Sequence, residues 1–134
     1  MFAASGITAV GLGLIRKALK TTHMADFLDH ASKSDAEHHA LKQAPHEACG
    51  LLVIIDQKQH YWPCRNLCDD PDKHFVLDPR DYLRAALTGT IAAIIHSHPQ
   101  GQRASGADRK ACSQSRLPWF IYQVPQQQWL TINP

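Results

Sequence analysis

Ile91-Ala92-Ala93-Ile94-Ile95-His96-Ser97-His98-Pro99-Gln100-Gly101-Gln102-Arg103-Ala104-Ser105-Gly106-Ala107-Asp108 carries an apolar run into a polar loop and on to a helix start. The five apolar residues at its head read as a buried strand. Side chains two apart on a strand share a face, so His96 and His98 can grip one ion together. Pro99 stops the ladder, and a Gly-containing loop follows. Ser105-x-x-Asp108 has the form of a capping box, which predicts a helix opening there. Asp108, the third residue of that helix, can then face back toward the histidines. Two imidazoles and one carboxylate fill three corners of a tetrahedron and leave the fourth for water, which is how catalytic zinc is held.

Upstream, Pro45-His46-Glu47-Ala48-Cys49-Gly50-Leu51-Leu52-Val53 brings a carboxylate to the mouth of a second apolar strand. Glu47 is the candidate general base. Zinc lowers the pKa of a bound water to about 7, and a nearby carboxylate can then take the proton as the water attacks a carbonyl.

Further out, the expected order is helix, hairpin, strand, helix, strand, helix, strands. Residues 25–44 carry a weak helical stripe of Phe27, Ala31, Ser34, His38 and Leu41, ended by Pro45. Residues 49–55 form a central strand, 56–58 a turn and 59–64 a returning strand. Tyr61 and Trp62 are read as core or sheet-face residues. Residues 66–73, with Asp69-Asp70-Pro71-Asp72, are an acidic surface loop that lacks the spacing of an EF-hand. Residues 74–77 are expected as a short strand. Asp78-Pro79 opens a helix to about Leu87, which Thr88-Gly89 ends. Strands are expected over 119–124 and 129–132. That order predicts an α+β fold with a mixed sheet flanked by helices.

The composition fits a single ordinary domain. A chain of 134 residues can bury a core of its own. The formal charge of +2, from scattered rather than striped basic residues, gives no reason to expect nucleic acid as a partner. Cys49, Cys64, Cys68 and Cys112 form no paired Cys-x-x-Cys set, so no structural zinc site is expected, and they read as small buried hydrophobes. Cys49, beside Glu47, is the alternative thiol nucleophile. His38-His39 are placed on a helix surface. Residues 2–15 carry no charge and are followed by Arg16-Lys17. The run is too short to span a membrane, and its charges follow rather than precede it, unlike a secretory signal. Residues 1–23 are therefore expected to be a dispensable extension, with the domain over 24–134.

A Glu ahead of an apolar strand, then His-Ser-His-Pro, a loop and Ser-x-x-Asp resembles the JAMM (MPN-plus) zinc metallopeptidases. Over residues 44–123 the chain also resembles the amino-terminal domain of the lambda-type phage tail assembly K proteins. The stretches that carry this are Tyr61-Trp62-Pro63-Cys64-Arg65-Asn66, Ile94-Ile95-His96-Ser97-His98-Pro99, Ala107-Asp108-Arg109 and Ser115-Arg116-Leu117-Pro118-Trp119-Phe120. The resemblance implies an MPN, cytidine-deaminase-like fold and one Zn2+ per chain, held by His96, His98 and Asp108. It implies Glu47 as the acid/base, with Ser105 steadying the water or the developing oxyanion. It further implies a peptidase or isopeptidase acting on a peptide, protein or peptidoglycan-type substrate, with phage tail proteins as partners and neither nucleic acid nor membrane. The place would be the host cytoplasm during phage assembly, or the virion tail. Two features depart from the pattern. The loop between His98 and Ser105 holds six residues, one fewer than the family pattern. The NlpC-type cysteine peptidase domain that follows in many such tail proteins is not expected in this chain.

A reading of another class is a non-catalytic tail assembly or scaffold protein with the same fold and a vestigial site. The presence of His96, His98, Asp108 and Glu47 together argues against it. A deaminase would need His-x-Glu with Pro-Cys-x-x-Cys, and the chain carries neither.

Overall fold

The apolar run that ends in two histidines forms the middle strand of a five-stranded sheet. The computed structural model describes residues 27–134. Its elements are α1 (His30–Gln43), β1 (Cys49–Ile55), β2 (Lys58–Cys64), α2 (Pro79–Thr88), β3 (Thr90–His98), α3 (Gly106–Ser115), β4 (Trp119–Gln123) and β5 (Gln128–Ile132). The strands lie in the order β2-β1-β3-β4-β5. β1 runs antiparallel to both β2 and β3, β3 and β4 are parallel, and β5 returns antiparallel to β4. A parallel pair needs a crossover, and α3 supplies it. This is the expected α+β arrangement with a mixed sheet. The extension expected over residues 1–23, and its boundary at Met24, lie outside the described residues.

Strand alternation decides which side chains meet. Cys49, Leu51, Val53, Ile94, Trp119 and Ile121 join one core with Ala85 of α2 and Cys112 of α3. Leu52, Ala93, Ile95 and Phe120 join another with Ala36 of α1. Helices therefore cover both faces, which is why β1, β3 and β4 are continuously apolar rather than alternating. Along β3 the same parity puts His96 and His98 on the face of Ile94, toward α2 and α3. Ser97 lies on the other face, where its Oγ accepts a hydrogen bond from the Ala48 N–H at 2.8 Å.

Two expected elements are corrected. α1 begins at His30, not Ala25, because Asp29 caps it, its side chain accepting from the Ser32 N–H. Of its expected apolar stripe only Phe27, which precedes the helix, packs against the core. Ala31, Ser34, His38 and Leu41 are exposed, and the buried face is Ser32, Ala36 and Ala40. Small residues at spacings of four let the helix lie close on the sheet. The strand expected over 74–77 is reduced to a single bridge between Leu77 and Asn66. There the Asn66 side chain replaces a ladder: Nδ2 donates to the His74 carbonyl, and Oδ1 accepts from the Cys68 and Val76 N–H groups, each at 3.0 Å.

Candidate metal centre

β3 delivers His96 and His98, both buried, to the α3 side of the sheet. Their Nε2 atoms face each other at 3.2 Å. α3 delivers the carboxylate: Asp108 Oδ1 lies 3.4 Å from His96 Nε2, and Oδ2 lies 3.2 Å from His98 Nε2. The predicted capping box is present. Ser105 Oγ accepts from the Asp108 N–H, and Asp108 Oδ2 accepts from the Ser105 N–H, both at 3.0 Å. Asp108 thus caps its own helix with the carboxylate that meets the histidines. Ser105 is exposed, at the N-cap position.

The short loop between His98 and Ser105 still closes, because its carbonyls are held from below. His98 Nδ1 donates to the Gln102 carbonyl at 2.7 Å. Gln123, at the end of β4, donates from Nε2 to the Gly101 and Gln102 carbonyls at 2.9 and 3.2 Å. Gly101 takes a left-handed φ of +78° there, and a Cβ on it would meet the Gln126 amide, so the turn needs glycine. In the neutral ring the bond to a carbonyl fixes the proton of His98 on Nδ1 and leaves a lone pair on Nε2, whereas the protonated ring also donates from Nε2 to Asp108.

Glu47 completes the cluster. Glu47, His96 and His98 each offer a ligand atom, and these atoms lie within 4.8 Å of one another. These three residues could hold a metal ion. Glu47 is 2 % exposed. Its backbone is tied to the acidic loop: the Glu47 N–H donates to the Pro71 carbonyl at 2.7 Å, and Asn66 Nδ2 donates to the Glu47 carbonyl at 3.0 Å. Residues 66–73 are therefore more than the solvated loop their composition suggests. The Phe75 and Trp119 rings pack on His96, with centroids 4.5 and 5.3 Å away. Nothing in the sequence announces Phe75, Trp119 or Gln123 as neighbours of the site. The only local signal was the Asn and Pro punctuation of 66–71.

The donor set fits a metal ion. Zinc bonds to imidazole of about 2.0–2.1 Å set tetrahedral edges near ~3.3 Å, and the observed nitrogen–nitrogen and nitrogen–oxygen separations lie at that value. Two buried imidazole nitrogens aimed at one point need a cation or a shared proton between them. His96 Nδ1 is buried without a hydrogen-bond partner.

Electrostatics divide the four groups. Burial raises the Glu47 carboxyl to about 7, with Asp108 pushing the same way and His98 opposing. Burial would raise Asp108 too, but hydrogen bonds from His96 and His98 hold it well below the usual carboxylate range. Burial lowers His96. It would lower His98 as well, but the Asp108 and Gln102 hydrogen bonds outweigh it and raise that imidazole. The thiol alternative fares badly, since burial pushes Cys49 up to about 12. Its Sγ donates weakly toward the Cys64 and Arg65 carbonyls. Cys49, Cys64 and Cys112 are buried as expected, and Cys68 is half-buried.

The family described as prokaryotic homologs of the JAB domain matches residues 31–131. Tail tip assembly protein K of Escherichia phage N15 is 40 % identical over 97 residues, which are 72 % of this chain and 40 % of that protein. Tail tip assembly protein K of Escherichia phage lambda is 46 % identical over 46 residues, 34 % of this chain and 23 % of that protein. The chain thus spans less than half the length of either relative. Among solved structures, protein DSY2949 of Desulfitobacterium hafniense superposes with a TM-score of 0.62 at 26 % identity, covering 76 % of this chain and 77 % of that one. AF2198, a JAB1/MPN domain protein of Archaeoglobus fulgidus, superposes with a TM-score of 0.52 at 16 % identity, covering 77 % and 84 %, and supports the fold alone.

Proposed function

The chain belongs to the family of prokaryotic homologs of the JAB domain, and on that premise we propose that it is a zinc-dependent amide hydrolase of phage tail assembly. The observation that carries the proposal is the convergence of His96 Nε2, His98 Nε2 and the Asp108 carboxylate within 3.2–3.4 Å, with Glu47 alongside. His96, His98 and Asp108 would hold the ion. Zinc bound there supplies Lewis acidity to an amide carbonyl. Glu47 takes a proton from the attacking water as its oxygen bonds to the carbonyl carbon. It then passes that proton to the departing amine nitrogen as the carbon–nitrogen bond breaks. A carboxyl poised near neutrality can do both. The Ser105 cap uses an oxygen lone pair, which leaves its hydroxyl hydrogen to donate to the developing oxyanion.

The kinship with two tail tip assembly proteins supports a role with other tail proteins, in the host during assembly or in the finished tail. The scissile amide would lie in a protein or in peptidoglycan. Among the described residues no helix is long and apolar enough to cross a membrane. The test is zinc content beside hydrolysis. The purified chain should hold about one zinc, lost in His98→Ala. Glu47→Gln should keep the zinc while hydrolysis falls by about 10²–10⁴-fold. A folded native chain that takes up no zinc, or a Glu47→Gln variant as active as the native chain, would refute the proposal.

A further inference from the structure

Glu47 and Asp108 both line a cleft of about 730 Å³. That is the size of a small-ligand or side-chain pocket. Two helices contribute to its lining. α2 contributes Tyr82, Leu83 and Ala86, one face at spacings of three and four, and α3 contributes Ala107 and Ala111, one turn apart. The methyl-sized side chains of α3 keep the cleft open where larger ones would fill it. Phe75, Val76 and Trp119 add further apolar surface to the lining. Leu83 is 57 % and Val76 53 % exposed, so apolar surface faces water directly beside the candidate metal centre.

The charge pattern is equally selective. Among the described residues, no lysine or arginine lines the cleft, and its carboxylates are Glu47 and Asp108. Away from the proposed metal and its histidines, a side-chain carboxylate entering the cleft would find no lysine or arginine to pair with, only the exposed imidazole of His74. Peptidoglycan stem peptides carry such carboxylates. A bulky apolar side chain meets only matching walls.

We infer that this cleft selects a leucine- or phenylalanine-like side chain beside the scissile amide of a protein chain, and does not accept a peptidoglycan stem. The inference rests on the amide-hydrolase reading for what happens to the bound chain, but binding tests it separately. Acetyl-Gly-Gly-X-Gly-Gly-amide peptides with X as Phe, Leu, Asp or Gly, and a soluble muropeptide, would be titrated into the full isotope-labelled chain, metal-free and zinc-loaded, and followed by NMR. The Phe and Leu peptides should shift the amide signals of Val76, Leu83, Ala107 and Ala111 and bind at least tenfold more tightly than the Asp and Gly peptides. The muropeptide should leave those signals in place. Leu83→Asp, at an exposed position that leaves the fold intact, should weaken the Phe peptide about tenfold, and Ala111→Trp should fill the cleft and abolish its binding. Equal affinity for every X, no binding by any peptide, or muropeptide shifts at these residues would overturn the inference. If the Phe and Leu peptides bind the cleft but none is cleaved by the zinc-loaded chain, the hydrolase reading falls and the cleft assignment stands. Cleavage without preference for X would give the reverse.

Discussion

Ser97 stands between the two histidines in sequence and on the other side of the sheet in space. Its Oγ accepts from the buried Ala48 N–H, next to Glu47, so it fixes where β1 begins relative to β3. Ser97→Ala leaves that N–H without its partner, and the expected cost is about 1–3 kcal/mol of stability. Zinc stoichiometry should not change, because the two imidazoles lie on the opposite face. Urea denaturation beside metal analysis checks both halves, and a loss of zinc with unchanged stability would contradict the assignment of faces. The same period of two is what made the histidine pair legible in the sequence, as the capping box made Asp108 legible. The approach of Glu47 was not legible. It depends on the Pro71 carbonyl and the Asn66 amide, groups on a distant loop with no periodicity to announce them.

At the scale of elements, local chemistry predicts the structure where one rule governs and fails where two compete. α2 has Asp78 as its cap and Pro79 in its first turn, and it ends at Gly89, as its punctuation predicts. α1 departs from the apolar stripe because the face that meets the sheet is the one with the smallest side chains. Ala40, 1 % exposed, lies on that face, and Leu41, 62 % exposed, points away. Ala40→Leu should therefore destabilise the chain by about 1–3 kcal/mol through overpacking. Leu41→Ala should change stability by no more than about 0.5 kcal/mol. Thermal denaturation of the two variants checks the assignment, and the opposite ranking would restore the stripe expected from the sequence. Residues 74–77 failed as a strand for a related reason, since Asn66 satisfies with its side chain the backbone groups that a neighbouring strand would otherwise have bonded.

Across the whole molecule, the proposed metal binding would be linked to folding, because the three candidate ligands come from β3 and α3 and meet only when the β3–α3–β4 crossover is formed. An ion that binds the folded chain and not the unfolded one stabilises it by RT ln(1 + [L]/Kd), about 2.7 kcal/mol at one hundred times Kd. Zinc should therefore raise the midpoint of thermal unfolding by several degrees, and a chelator should reverse the rise. The sign of its pH dependence follows from His98. Asp108 and Gln102 hydrogen bonds outweigh burial and raise that imidazole above its ordinary value, so in the metal-free chain it gains a proton as pH falls toward and below neutrality. Zinc must displace that proton to reach Nε2, and each pH unit below the imidazole's pKa weakens binding by up to about tenfold. The zinc-dependent stabilisation should accordingly be full at mildly alkaline pH and shrink as the solution is acidified. Glu47→Gln should retain it, and His98→Ala should abolish it at every pH. Scanning calorimetry with and without zinc, across that pH range, measures it directly. A stabilisation by zinc that survives in His98→Ala would place the ion elsewhere on the chain.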